Sequence, residues 1–429
     1  MVRAVRDLEE RQADDLPGEG ATQVSVLVVH DTPILSGMHL QIIDSIFRAY
    51  KTEYEIVNVV PKMADKELKK IKPERWLQES DRILEAAYKH EKILCCGPIA
   101  TATTHRLDKT VSVTKARGRG MVIQEPLMEW YTVATYSPST VVKDADFFRD
   151  VVSDIDKLLT HSAPIPQPDV EINLVEKKAD LRDLRDLHDA SFLGMDIETS
   201  GFGIHAYPLS VGLGALTGVN EGYAIVVPQK YIGEELLTFF KTYKGYSVYH
   251  NLKFDVQHLM RLYGKFTFKK PMDTMLLNYS LDERPFNRYR SHSLKLLARL
   301  YYDAPDYGLP MGEWLEEFFR EDPDPADVKA YLKEHCEKYP EKSRTLWRKG
   351  YEETYGEEPR WRGLKVGRDI DPKEVYPYIP LPKSLLPAAT KERKKEMLEE
   401  LYVYQGLDAY YTARLFEDLR KKQEEESRA

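Results

Sequence analysis

Asp196 and Glu198 stand two positions apart in Gly194-Met195-Asp196-Ile197-Glu198-Thr199-Ser200, which follows the apolar Phe192-Leu193 and precedes a second apolar run at 211–216. On a strand, the pleat turns both carboxylates to one face. Side by side they repel unless a proton or a cation lies between them. A hard divalent cation bound through oxygen is the natural occupant, although chance also places acidic pairs at strand ends. Two later stretches carry related chemistry. His250-Asn251-Leu252-Lys253-Phe254-Asp255 falls at an expected strand-to-helix junction, and Tyr404-Gln405-Gly406-Leu407-Asp408 falls inside an expected helix at 391–422. On that helix Tyr404 and Asp408 are one turn apart and share a face. Taken singly, Tyr404 reads as a core aromatic and Asp408 as a solvated acid. Together, D-x-E, N-x-K-F-D and Y-x3-D point to one site.

The elements that must hold these residues are legible in outline. The chain of 429 residues is 42% hydrophobic, a globular composition with room for two or three domains. Its formal charge of -8 argues against a uniformly basic coat, not against a local basic groove. Cys95, Cys96 and Cys336 are too few and wrongly spaced for a disulfide framework, a zinc site or a four-cysteine iron–sulfur cluster, which fits a reducing cytoplasm. No apolar run is long enough to span a membrane. Residues 1–23 read as a disordered tail. Strands at 24–29, 54–60, 93–96 and 130–136 alternate with helices, which predicts a parallel α/β sheet in a first domain, 24–160. The proline-rich stretch 161–172 reads as a linker. A second α/β domain, 173–425, then opens with a strand and a helix (179–190) and carries the three motifs. Its expected insertion, at about 310–390, holds basic and aromatic residues.

The combination of motifs resembles the DEDD superfamily of 3′→5′ exonucleases, in the branch with a tyrosine in its third motif. Within it, the sequence is most similar to the proofreading domain of DNA polymerase I-type enzymes. Met272-Asp273-Thr274-Met275-Leu276-Leu277 and Ser291-His292-Ser293-Leu294 look like the segments that follow the family's second motif. The resemblance covers residues 172–425 and implies a ribonuclease H-like fold. It implies that Asp196, Glu198, Asp255 and Asp408 hold two Mg²⁺ or Mn²⁺ ions, and that Tyr404 orients the attacking water. It makes Thr199 and Asn251 expected donors to a terminal nucleotide. Phe202 is either a base-stacking wedge or plain core. Lys253 is either a phosphate contact or a snorkelling surface lysine. Arg360, Arg362 and Lys365 lie in an acid-free run, Arg360-Trp361-Arg362-Gly363-Leu364-Lys365, which suits a nucleic-acid backbone; a solvated face or a partner contact competes for that stretch.

The first domain resembles the uracil-DNA glycosylase superfamily fold, through Val26–Val29, Ser36-Gly37 to Asp44, Asn58–Pro61, Ile93–Ala100 and Thr135–Ser139. It departs where that family's chemistry lies. Val29-His30-Asp31-Thr32-Pro33-Ile34 replaces the usual loop, and Ser137 stands where a histidine would. The expectation is a lost or repurposed activity, with Asp31 still able to activate water. The sequence contains no polymerase body after the last helix. The expected activity is therefore a stand-alone DNA exonuclease acting on single-stranded or frayed 3′ ends, proofreading for a separately encoded DNA polymerase. The pairing of the two domain types is similar to that of phage replication proteins. An RNase D-like RNA exonuclease and a non-catalytic, DNA-binding polymerase accessory remain as other readings.

Overall fold

The computed structural model describes residues 24–31, 37–60, 73–201, 205–264, 270–282, 292–355 and 372–428. The expected tail at 1–23 lies outside them, as do Phe202, Arg360, Arg362 and Lys365. The architecture is two-domain α/β, with two mixed sheets and flanking helices.

The first sheet has the order β2-β1-β3-β5-β4. Strands β1 (Ser25–His30) and β3 (Lys92–Cys96) are at its centre. Their near-continuous apolar runs suit strands covered on both faces. Helices α1 (Gly37–Ala49), α2 (Pro73–Ala87), α3 (Pro98–Thr104) and α4 (Phe147–Thr160) flank the sheet. Strands β2 (Glu53–Asn58), β1, β3 and β5 (Met128–Thr135) run parallel, as expected. The wholly parallel sheet needs correcting. Strand β4 (Gly120–Glu125) pairs antiparallel with β5, because only Pro126 and Leu127 separate the two, and so short a turn forces a hairpin.

The second sheet has the order β11-β10-β7-β8-β9-β6. Here the stretch expected to be linker, 161–172, is only partly so. Asp169–Leu174 forms β6, parallel to β9 (Glu221–Pro228). Its apolar residues alternate at Val170, Ile172 and Leu174, a strand pattern obscured by the prolines before it. The helix expected at 179–190 is a 3₁₀ helix, Lys178–Leu187. Strand β7 (Phe192–Thr199) pairs antiparallel with β8 (Pro208–Gly218) and parallel with β10 (Tyr246–Tyr249), which in turn pairs with β11 (Pro271–Asp273). One face packs Met195, Ile197, Leu213 and Ile225 against α5 (Glu234–Thr242) and α6 (Leu252–Tyr263). The elements α7 (Thr274–Leu281), α8 (Leu294–Tyr302) and the long α9 (Lys391–Glu426) complete this domain.

By compactness the chain divides into one unit carrying both sheets and a second formed by the described residues of Ser200–Ile204 and Leu309–Leu401. The second unit contains helices Met311–Phe318, Pro325–Lys338 and Pro340–Tyr355. A small cluster of Cys336, Val375 and Ile379 is buried within it. The α9 helix continues into the first unit from Tyr402. Among the described residues no helix is long and apolar enough to cross a membrane.

Candidate metal centre

Strand β7 alternates as its sequence requires. Met195 and Ile197 are buried on the α5/α6 side, which turns Gly194, Asp196 and Glu198 to the other face. Helix α9 lies on that face, and glycines let it approach. A Cβ on Gly194 would overlap the Ala409 carbonyl oxygen, and one on Gly214, its β8 partner, would stand 2.6 Å from the Tyr410 nitrogen. Gln405 fixes the helix along the sheet. Its buried amide donates to the Asp196 carbonyl at 3.1 Å and to the Ser210 carbonyl at 3.2 Å, so it bridges two adjacent strands. With Gln405 and Ala409 pinned, Asp408 is delivered beside Asp196.

Asp196, Glu198 and Asp408 each place an oxygen within 4.8 Å of the others. Among the described residues this is the group of acidic, histidine or cysteine side chains close enough to share an ion. Asp255 stands next to this trio rather than within it. It lies in the first turn of α6 and is buried, and its Oδ1 accepts from the Ile197 amide of β7 at 3.0 Å. The chain reaches it through Asn251, which takes the left-handed conformation (φ 75°) just before the helix. Asp273 reinforces the junction by accepting from the Asn251 and Leu252 amides at 3.2 and 2.9 Å, and also from Met275 and Leu276 at the start of α7. One carboxylate thus caps two helices.

The electrostatics match this crowding. Burial, with Asp408 adding repulsion, pushes the Asp196 carboxyl up to about 7, while Lys295 pulls it back. Burial raises Glu198 and Asp255 well above the usual carboxylate range, and neighbouring carboxylates add to the rise. Burial pushes the His250 imidazole down to about 4, so it is neutral at pH 7. Tyr404 is half-buried, and burial followed by the nearby Asp408, Glu198 and Asp196 raises its phenol far above its ordinary value. With its phenol raised in this way, the hydroxyl beside the acids is protonated at neutral pH.

Three further residues lack a motif in the sequence. Lys295, at the start of α8, forms an ion pair with Asp408 Oδ1 and lies 3.9 and 4.2 Å from the ring centres of Tyr404 and Tyr307. The Tyr307 hydroxyl donates to the same Asp408 oxygen at 2.9 Å. Gln405 is the third. The only local signal was indirect, since Lys295 directly follows His292-Ser293-Leu294. Of the expected nucleic-acid contacts, Thr199 is buried at the end of β7, whereas Asn251 and Lys253 are exposed at the start of α6. Phe202, Arg360, Arg362 and Lys365 are outside the described residues.

The donor set fits a hard divalent cation. It is all carboxylate oxygen, and Oδ2 of Asp196 is buried without a hydrogen-bond partner among the described residues. A buried carboxylate oxygen left unpaired is costly unless an ion or a proton satisfies it. In comparisons with known proteins, no family model and no curated protein matches the chain.

Proposed function

We propose that the chain is a metal-dependent 3′→5′ exonuclease that hydrolyses DNA phosphodiesters, with a ribonuclease H-like domain at 173–425 built around the carboxylate centre. The observation that carries this is the approach of Asp196, Glu198 and Asp408 within 4.8 Å from a strand and a helix more than 200 residues apart in sequence. The substrate and the direction of cleavage rest on the order and types of the three motifs. The first domain, in this reading, has a glycosylase-like sheet without that chemistry, and a separate DNA polymerase is the expected partner.

Asp196, Glu198 and Asp408 would hold Mg²⁺ or Mn²⁺, with Asp255 completing a second position. When bound, these ions supply the acidification of water and the neutralisation of phosphate charge that hydrolysis needs. The chain's own groups divide the remaining work. Tyr404 keeps its proton and directs a water through hydrogen bonding; it is not a base. Glu198, raised by burial and then by its carboxylate neighbours, is the better proton acceptor. Thr199 and Asn251, at the end of β7 and the start of α6, flank the acids as donors to the terminal nucleotide.

The ion pair between Lys295 and Asp408 favours a second reading, in which the ammonium is the permanent counter-ion of a non-catalytic accessory. Incubating the protein and Mn²⁺ with 5′-labelled DNA and RNA strands of one sequence separates the possibilities. The proposal expects a ladder shortening from the 3′ end of DNA, abolished by Asp196→Ala. Preferential shortening of RNA would change the substrate. Unchanged strands, or activity that survives Asp196→Ala, would overturn the proposal.

A further inference from the structure

Helix α8 ends at Asp303, whose conformation is left-handed (φ 53°). Glycine is the usual residue there, so an aspartate is notable for its side chain. That side chain is 1% exposed and faces the first domain. Oδ1 accepts from the Gly120 amide of β4 at 2.7 Å and Oδ2 from the Ile165 amide at 2.7 Å; Lys157 of α4 forms an ion pair with it. Lys157 also donates to the Leu300 carbonyl at 2.9 Å, Gln167 to the Asp303 carbonyl at 3.0 Å, and Arg299 to the Thr114 carbonyl at 2.7 Å. At Gly118 a Cβ would overlap Leu300.

Only three residues separate Asp303 from Tyr307, the residue that holds Asp408. Ala304 is fully buried, Pro305 restricts the next φ, and the Tyr307 amide turns back onto the Pro305 carbonyl at 2.9 Å. The Tyr307 ring stacks on Tyr411 of α9, centroids 5.3 Å apart. Little slack remains between the anchor and the metal ligand. We propose that the first domain is the positioning platform of the carboxylate centre, acting through Asp303 and Tyr307 on the orientation of the Asp408 carboxylate. Asp303, Lys157 and Tyr307 are positioning residues. The inference rests on the nuclease reading only for what the centre does.

Calorimetric titration of the full chain with Mn²⁺ tests this without recourse to activity. Lys157→Met should raise the half-saturating Mn²⁺ concentration about three- to tenfold. Tyr50→Phe, which loses the 2.8 Å bond to Asp156 within the first domain, should leave it unchanged. Should Lys157→Met not fold, the exposed pair Lys115–Asp306, 3.2 Å apart, provides the alternative. Lys115→Glu should then weaken binding about twofold and the added Asp306→Lys should restore it. Unchanged binding in folded Lys157→Met, or in Lys115→Glu if that variant must serve, overturns this inference alone. No Mn²⁺ binding by the wild type would sink the nuclease reading as well.

Discussion

The Lys295 ammonium lies 3.9 Å from the centre of the Tyr404 ring while it pairs with Asp408 one helical turn further on. A single cation thus covers the aromatic and the acidic member of the third motif. Among the described residues it is the basic group that offsets the raised Asp196 and Glu198 carboxyls.

Removing that charge leaves the acids uncompensated until another cation arrives. Lys295→Met should therefore destabilise the metal-free protein by about 1–3 kcal/mol, between the costs for exposed and fully buried pairs, because the lysine is partly exposed. Excess Mn²⁺ should close most of the gap, because an ion makes the ammonium redundant. Melting scans with chelator and with Mn²⁺ check this. An equal Mn²⁺-induced rise in wild type and variant would count against it.

The same acids make stability depend on pH. Asp196 titrates at about 7 in the folded chain, and Glu198 and Asp255 are also raised. Unfolded carboxyls titrate at about 4. Between these values the folded state binds more protons than the unfolded state, so stability falls as pH rises. In chelator, the melting temperature should decline from about pH 5 to about pH 8. Mn²⁺ should flatten the decline by replacing the protons. A melting temperature that climbs over that range would contradict the assignment.

Much of this centre was legible beforehand because its parts are local. Strand β7, the start of α6 and the long α9 follow from apolar periodicity, and Asp196, Glu198, Asp255, Tyr404 and Asp408 sit at fixed offsets within them. Lys295 and Tyr307 had no such signal. One is the second residue of an amphipathic helix and the other stands two residues after a proline in a short connection; only tertiary closure brings both to Asp408. Gln405 looked like any polar residue of α9 until β7 and β8 lay beneath it. The strands with the weakest sequence signal, β4, β6 and β11, lie at sheet edges and each adjoins or begins with a proline, where a strand pattern is hardest to read.

Close approach of α9 to the sheet is itself testable. Gly194→Ala sets a methyl against the Ala409 carbonyl, and overpacking of this kind costs about 1–3 kcal/mol. Because the shift moves Asp408 away from Asp196, Mn²⁺ affinity should fall together with the melting temperature. Calorimetry showing full Mn²⁺ affinity in Gly194→Ala would mean that helix position does not set the centre.

Tyr404→Phe separates positioning from metal binding. It removes only a hydroxyl, and misplacing a reacting group is expected to slow the chemical step about 100-fold. Mn²⁺ affinity should stay at the wild-type value. Single-turnover cleavage of a labelled strand reads the first and calorimetry the second. Loss of metal binding without a slower chemical step would reassign the residue.

The most direct measurement is an anomalous difference map from crystals soaked in Mn²⁺. The account predicts a manganese peak bounded by Asp196, Glu198 and Asp408, with Asp255 at its margin. A map with no peak there, and with Lys295 still paired to Asp408 at saturating Mn²⁺, would contradict it.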